Sequence, residues 1–404
     1  MKKKIPITKT AGAAKARTRT KPSVGADSGA SAAQPSQPAA GATAAPFFLG
    51  GKVLVVGGYD PNGKAVYTAV LFDPATNMWA ETGSMFYERA EHTATLLPDG
   101  KVLVAGGANL YGHAAQSAEV YDPAVGQWFA TAQLPRPRTV FTATLLKNRK
   151  VLAAGGSNSA ELYNPGNQVW TTTGMLNPPR HFWTATLLKN GKVLFVGGII
   201  ASFTNTAVLY DPVAQAWTPT GSLFHARYGH TATLLKNGKV LVAGGLKTLD
   251  AGGTNISAHA ALKTVELYDP ARGEWFATGP LHGPRMNHTA TLLRDGRVLV
   301  AGGYHVGHDP LGSAELYDPD TQVWTTVSPL DRPRVGHTAT LLTDGRVLVA
   351  GGGSTAEVYD PATGAWTYTG SLRSTRGFHT ATLIGTQRPV ADPYVSLLTL
   401  KGLV

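Results

Sequence analysis

The chain has 404 residues, 15% of them charged, with 47 Gly, 26 Pro and no Cys. That composition suits many short strands joined by tight turns, and it excludes disulfides, thiolate metal sites and any cysteine nucleophile or cysteine-derived cofactor. The formal charge of +11 is concentrated at the N-terminus: residues 1–45 carry +7 and the remainder only +4. The body therefore lacks the basic excess of a nucleic-acid-binding domain, and no specific nucleic-acid partner is expected.

Residues 1–45 are almost entirely Ala, Gly, Ser, Thr, Pro, Gln, Lys and Arg. Such a segment has too little apolar surface to offset its chain entropy and is expected to be a disordered basic tail. Lys2 to Lys4 open it like a secretory signal, but Pro6, Thr8 and Lys9 interrupt any apolar core. The longest apolar candidate, Val193 to Phe203, has eleven residues and two glycines. That is well short of the roughly 18 residues of a membrane span. No cofactor and no membrane span are expected. The expected compartment is the cytoplasm by default, with the cell surface or secretion as the alternative.

From Gly51 onward the chain repeats. Double glycines begin at Gly57, Gly106, Gly155, Gly197, Gly244, Gly302 and Gly351, six intervals averaging 49 residues. An aromatic-Asp-Pro element recurs at Phe72, Tyr121, Tyr163, Tyr210, Tyr268, Tyr317 and Tyr359, with Asn164 replacing Asp in the third copy. A tryptophan follows seven residues later in every copy, from Trp79 to Trp366, and an arginine ten residues after that, from Arg89 to Arg376. Only the gap from glycine pair to aromatic varies, running 15, 15, 8, 13, 24, 15 and 8 residues.

The constant stretches spell strands and turns. His92 to Leu97, Pro98-Asp99-Gly100 and Lys101 to Gly107 form two β-runs around an Asp-Gly hairpin turn, repeated at Asn190-Gly191, Asn237-Gly238, Asp295-Gly296 and Asp344-Gly345. Val102 to Ala105 is apolar on both faces, as a strand sandwiched between sheets should be. Ser117 to Tyr121 makes a third strand, and Asp122-Pro123 turns it into a fourth around Trp128. Four short strands with two apolar faces make one blade of a β-propeller. The first copy lacks its Thr-Ala-Thr strand, with Phe47-Phe48-Leu49 in its place, and the missing strand stands at the far end as His379 to Ile384. The expectation is an all-β, seven-bladed propeller of four-stranded antiparallel blades, with N- and C-terminal strands closing the ring. It spans residues 46–384 and leaves 385–404 as a short extension.

The Gly-Gly pair, Tyr-Asp-Pro, Trp and Arg-x-x-His resemble kelch repeats. The Thr-Ala-Thr-Leu-Leu-x-Asp-Gly-Lys/Arg-Val-Leu-Val-Ala-Gly-Gly variant is similar to the propeller core of the galactose oxidase group. The resemblance covers about residues 50–384 and implies the kelch propeller fold, which serves many functions. The copper radical centre of galactose oxidase-like enzymes needs a cysteine-crosslinked tyrosine and a further C-terminal domain. This chain has no cysteine and about twenty residues after the closing strand, so that activity is not expected.

In each antiparallel blade the variable loop and the arginine-bearing connection to the next blade fall on one face, opposite the short turns. That face is the expected binding surface. Candidate residues are Asp250, Asn255, His259 and Lys263 in the long fifth-blade loop, Tyr304, His305, His308 and Asp309 in the sixth, and Tyr111 and His113 in the second. His305, His308 and Asp309, with His259, also form the one candidate metal cluster, although no metal site is expected. The seven arginines are expected to pair with Glu119, Glu161, Glu266, Glu315 and Glu357, the third-strand acids. Val70 and Val208 replace that acid in blades one and four, so Arg89 and Arg227 are expected to be the arginines free for a ligand. The repeated histidines His92, His230, His288, His337 and His379 are expected to be structural. The expected function is a non-catalytic recognition module, monomeric, binding a protein partner through this face. A carbohydrate-binding or carbohydrate-active protein is the alternative.

Overall fold

The computed structural model describes residues 51–385 apart from 177, 201, 249–258 and 306–308. The tail and the extension read from the sequence, and the Phe47-Phe48-Leu49 segment, lie outside the described residues.

Valine-rich four-residue runs with no polar face form the second strand of every blade. Val53–Val56, Val102–Ala105, Val151–Ala154, Val193–Val196, Val240–Ala243 and Val298–Ala301 are buried along their whole length. Each pairs with a Thr-Ala-Thr strand on one side and a Tyr-bearing strand (Phe-bearing in blade one) on the other, and the Trp-bearing strand completes the sheet. The Tyr and Trp seven residues apart are register partners, as in Tyr121↔Trp128, their rings 5.1 Å apart. The invariant seven-residue spacing is thus the length of one tight hairpin with a fixed aromatic cross-strand pair.

Among the described residues there are seven such four-stranded antiparallel sheets, one two-stranded sheet and no helix. The Thr-Ala-Thr strands contact one another in an unbroken circle around the central axis. Blade one takes its innermost strand from the other end of the chain: Val53–Val56 pairs antiparallel with Thr380–Leu383, Val55 opposite Ala381. The chain therefore closes its own ring and removes two sheet edges. The core is a series of seams between blades, each shared by two sheets. One seam packs Leu54, Val56 and Ala69 of blade one against Val104, Tyr121 and Trp128 of blade two.

Polar contacts follow the same inter-blade logic. Trp128 Nε1 donates to the Gly83 carbonyl at 2.7 Å, and Tyr121 Oη bonds Thr82 Oγ1 at 2.6 Å, both across to the preceding blade. The pattern recurs at Trp275 to Gly221 and Tyr268 to Thr220.

The glycine pair is explained by what lies upon it. The connection into the next blade crosses each pair, and the second glycine donates its N–H to the arginine carbonyl, Gly58 to Arg89 at 2.9 Å and Gly245 to Arg285 at 2.9 Å. A Cβ on Gly244, whose φ is +63°, would sit 2.4 Å from the Arg285 carbonyl and 2.8 Å from the His288 ring. Glycine is needed both for its left-handed backbone and for the close approach. We expect Gly244→Ala to lower unfolding stability by at least about 2 kcal/mol in a denaturant titration. Gly63→Ala, at φ +72° with nothing within 4 Å, is expected to lose only about 1 kcal/mol of stability, through added conformational strain.

Candidate recognition face

Variable loops and inter-blade connections emerge together around one end of the central axis. The connection carries the Arg-x-x-His stretch, with Phe141 and Trp183 for the histidine in two copies, and the residue two after each arginine stands at the mouth of the axial channel. These seven are Glu91, Val140, Phe182, Gly229, Asn287, Gly336 and Phe378. All are left-handed, with φ between +51° and +67°. Five of the seven have a side chain in a region that favours glycine, and for β-branched Val140 the strain is greatest. Main-chain bonds between neighbouring blades hold the turns around the axis. Phe378 N donates to Gly336 O, Glu91 N to Phe378 O and Asn287 N to Gly229 O, at 2.9–3.0 Å.

The mouth has two chemical sides. On blades four to six, Phe182, Phe203, Tyr228 and Tyr304 gather with Ile199, Leu246 and Met286. Phe203 and Phe182 lie 4.7 and 5.6 Å from the Tyr228 ring. Burial, with the nearby Tyr304, pushes the Tyr228 phenol up to about 12, so it stays neutral at physiological pH. On blades one and two the buried Glu91 carboxylate accepts from Thr139 Oγ1 at 3.0 Å. It also interacts with Tyr59, whose phenol is raised by burial and then by that carboxylate. Asn287 Nδ2 reaches Tyr304 Oη at 3.3 Å. Below the rim, Asn287, His288, Gly336, His337, Phe378 and His379 line a small recess at the axis.

Tyr304 joins the aromatic cluster and the half-buried His305 follows it. Tyr111 and His113 stand exposed at the tip of the second-blade loop, rings 6.4 Å apart, their N–H groups both donating to Asn109 Oδ1. Lys263 and Asp309 are exposed in their loops. His259 lies in a short strand, His259–Ala261, paired with Leu246–Thr248. Asp250, Asn255 and His308 lie outside the described residues, so the candidate metal cluster is described only in part. Among the described residues no three His, Asp or Glu side chains are placed so that they could hold a metal ion.

The expectation for Arg89 and Arg227 is corrected. Each arginine, although it follows one blade's outer strand, inserts into the next blade's sheet, so the pairing is offset by one blade. Arg89 pairs with Glu119 at 2.6 Å and Arg227 with Glu266 at 2.5 Å, and both arginines are fully buried. Arg138, Arg285 and Arg334 pair with Glu161, Glu315 and Glu357. The arginines facing valine are Arg180 and Arg376. Arg376 is held by Thr68 and Ser374, and burial lowers it to about 10. Among the described residues the Arg180 side chain makes one hydrogen bond, to the Thr206 carbonyl at 3.1 Å. The mouth residues themselves carried a signal in the sequence. Both positions inside Arg-x-x-His differ from copy to copy, whereas the arginine is the same in all seven and the histidine in five, with Phe141 and Trp183 in the other two, and that contrast singles them out.

The repeated histidines are buried and hydrogen-bonded between blades. Each shares a hydrogen bond through Nε2 with a threonine on the neighbouring innermost strand: His92 with Thr380, His230 with Thr184, His288 with Thr231, His337 with Thr289 and His379 with Thr338, all at 2.9–3.0 Å. Burial, and then the adjacent arginine, depresses them; His230, His337 and His379 fall from 6.5 to about 3. Protons therefore bind the unfolded chain in preference. The stability of this ring is complete above the unfolded value of 6.5 and is lost as pH falls towards 3. We expect the melting temperature to drop steadily from pH 7 to pH 4. His337→Phe, which copies Phe141 from the same place in blade three, should make that drop shallower.

Comparison with known proteins agrees with this architecture. Residues 41–245 match the KLHDC2/KLHL20/DRC7 Kelch-repeats domain, and residues 285–330 match the Kelch motif. No curated protein matches the chain. Among solved structures it is similar to a fungal alcohol oxidase of the AA5 family in complex with copper. The TM-score is 0.63 and the identity 19%, over 83% of this chain and 72% of that one. That likeness speaks for the propeller fold alone, and the copper stays with that protein.

Proposed function

Because the chain belongs to the kelch-repeat family, we propose that it is a non-catalytic recognition module that binds a protein partner at the mouth of its axial channel. The observation that carries this reading is the coincidence of variation on one face. Every loop-length difference falls there, and so do the two positions after the invariant arginine, which vary in a connection of constant length. Around them the scaffold is buried, hydrogen-bonded and repeated. A rigid platform with one variable, partly aromatic surface is the arrangement that recognition requires. Phe182, Phe203 and Tyr304 supply apolar contact area, and Glu91 and Asn287 supply polar contacts that fix orientation.

A glycan ligand is the second reading, favoured by the half-buried aromatic rings beside an amide and a carboxylate at the same rim. The two readings share a surface and separate by ligand.

The test uses substitutions that the fold already accommodates. Phe182→Gly and Asn287→Gly install the residue found at the same left-handed position in Gly229 and Gly336. The full chain and the double variant would be immobilised and exposed to source-cell lysate, with bound proteins quantified by mass spectrometry. The proposal expects a protein retained by the full chain and lost from the variant, with unchanged melting temperature. Equal retention by both would remove the mouth as the binding site. A glycan array signal with the same dependence on Phe182 and Asn287 would favour the second reading.

A further inference from the structure

The opposite face of the disc, formed by the short turns, has a charge pattern that the proposed recognition site does not use. The turn between the first two strands of a blade begins with Lys147, Lys189, Lys236 and Arg294 in four consecutive blades, three to six. Pro98 and Thr343 occupy the position in blades two and seven. All four cations are exposed. Each reaches along the ring to the next turn: Lys147 donates to the Lys189 carbonyl, Lys189 to the Lys236 carbonyl, Lys236 to the Arg294 carbonyl and Arg294 to the Thr343 carbonyl. Their stems lie over the glycine of that next turn, with contacts of 3.2–3.4 Å to where a Cβ on Gly191, Gly238, Gly296 or Gly345 would be. The row is therefore held in place by packing and hydrogen bonds rather than being four independent mobile side chains.

Neighbouring charges are arranged so that this row stays uncompensated. In blades three to five the residue after each of these lysines is asparagine, not aspartate: Asn148, Asn190 and Asn237. The second cation of most turns is neutralised, as in Lys192–Asp211 at 3.2 Å and Lys239–Asp269 at 3.5 Å. In blade three, Asn164 replaces that aspartate and leaves Lys150 without it. Among the described residues Lys147, Arg149, Lys150, Lys189, Lys236 and Arg294 form no ion pair. Their charge exceeds the +4 of the whole chain beyond residue 45.

Arg149 adds a separate observation. It is left-handed at φ +67°, where the other hairpin turns use Gly100, Gly191, Gly238, Gly296 and Gly345. No long stem crosses it, because blade two supplies Pro98. Its side chain is therefore tolerated sterically, but a non-glycine residue here still costs about 1 kcal/mol or more. A strained residue that adds a cation at the end of an uncompensated cationic row points to a use for the charge.

We propose that this crescent is a second interaction surface, distinct from the channel mouth, and that it docks an acidic, Asp/Glu-rich segment of a protein. Four fixed point charges along an arc, with further N–H donors free on each, match a run of carboxylates. These four turns carry no aromatic side chain on which bases could stack. They also project no helix or long hairpin that could enter a duplex groove.

The test is a fluorescence-anisotropy titration of the full chain with a fluorescein-labelled peptide of alternating Asp and Glu. Lys147→Glu/Lys189→Glu/Lys236→Glu is expected to weaken binding at least about tenfold. A control of identical net charge, Lys64→Glu/Arg136→Glu/Arg332→Glu on the loop face, should stay within about twofold. Lys→Gln replacements at the same three crescent positions serve if charge reversal lowers the melting temperature. Equal weakening in crescent and control variants would overturn the proposal, as would no weakening in either. Phosphatidylserine vesicles and a labelled single-stranded oligonucleotide are titrated in parallel. Tighter, crescent-dependent binding of either would replace the acidic segment with that class of ligand.

Discussion

The structure depends on one repeated residue, the arginine that leaves each blade and enters the next. Its carbonyl accepts the N–H of the preceding blade's second glycine in all seven blades. Its guanidinium is buried within the following sheet, where five of the seven find a glutamate. One residue thus fixes the distance and angle between neighbouring sheets. The glycine pair, the channel histidines and the left-handed mouth residues all follow from that crossing. The glycines give it room, the histidines pack beneath it, and the backbone must turn sharply two residues later to enter the innermost strand. A buried ion pair of this kind is a weak contributor to net stability but a strong determinant of geometry, because either partner alone is costly.

Much of this was legible in the sequence because it is periodic. Constant spacings from aromatic to Trp and from Trp to Arg located hairpins whose lengths cannot vary. The displaced Thr-Ala-Thr strand foretold the pairing of Val53–Val56 with Thr380–Leu383. Partner assignment across the blade boundary was less legible. Spacing along the chain places Arg89 in the same repeat as Val70, whereas folding places it in the sheet of Glu119. Sequence periodicity has no marker for where one blade ends, and the error of one blade exchanged Arg89 and Arg227 for Arg376 and Arg180. The mouth residues were overlooked for a related reason: they sit inside a constant stretch, and variation there is easily taken for tolerance. The main-chain bonds between neighbouring turns and the recess lined by Asn287, Gly336 and Phe378 are what place them around the axis.

The two faces of the disc divide the work by how they vary. On the loop face, lengths and side chains change from blade to blade around the mouth. On the turn face the lengths are constant, and the uncompensated charge is gathered in a contiguous sector. A propeller can vary both because its stability resides in the seams between blades and not in either rim.

The central claim is that the arginine crossing, paired with its carboxylate, sets the blade-to-blade geometry. It is tested most directly by comparing Arg285→Leu with Arg180→Leu in denaturant titrations. Arg285 leaves behind a buried Glu315, and its loss should lower stability by about 3–5 kcal/mol. Arg180 leaves no carboxylate and gives up a single hydrogen bond, so its replacement should be near neutral or stabilising. Equal, large losses at both positions would contradict the account and show that the arginine acts through packing of its stem alone.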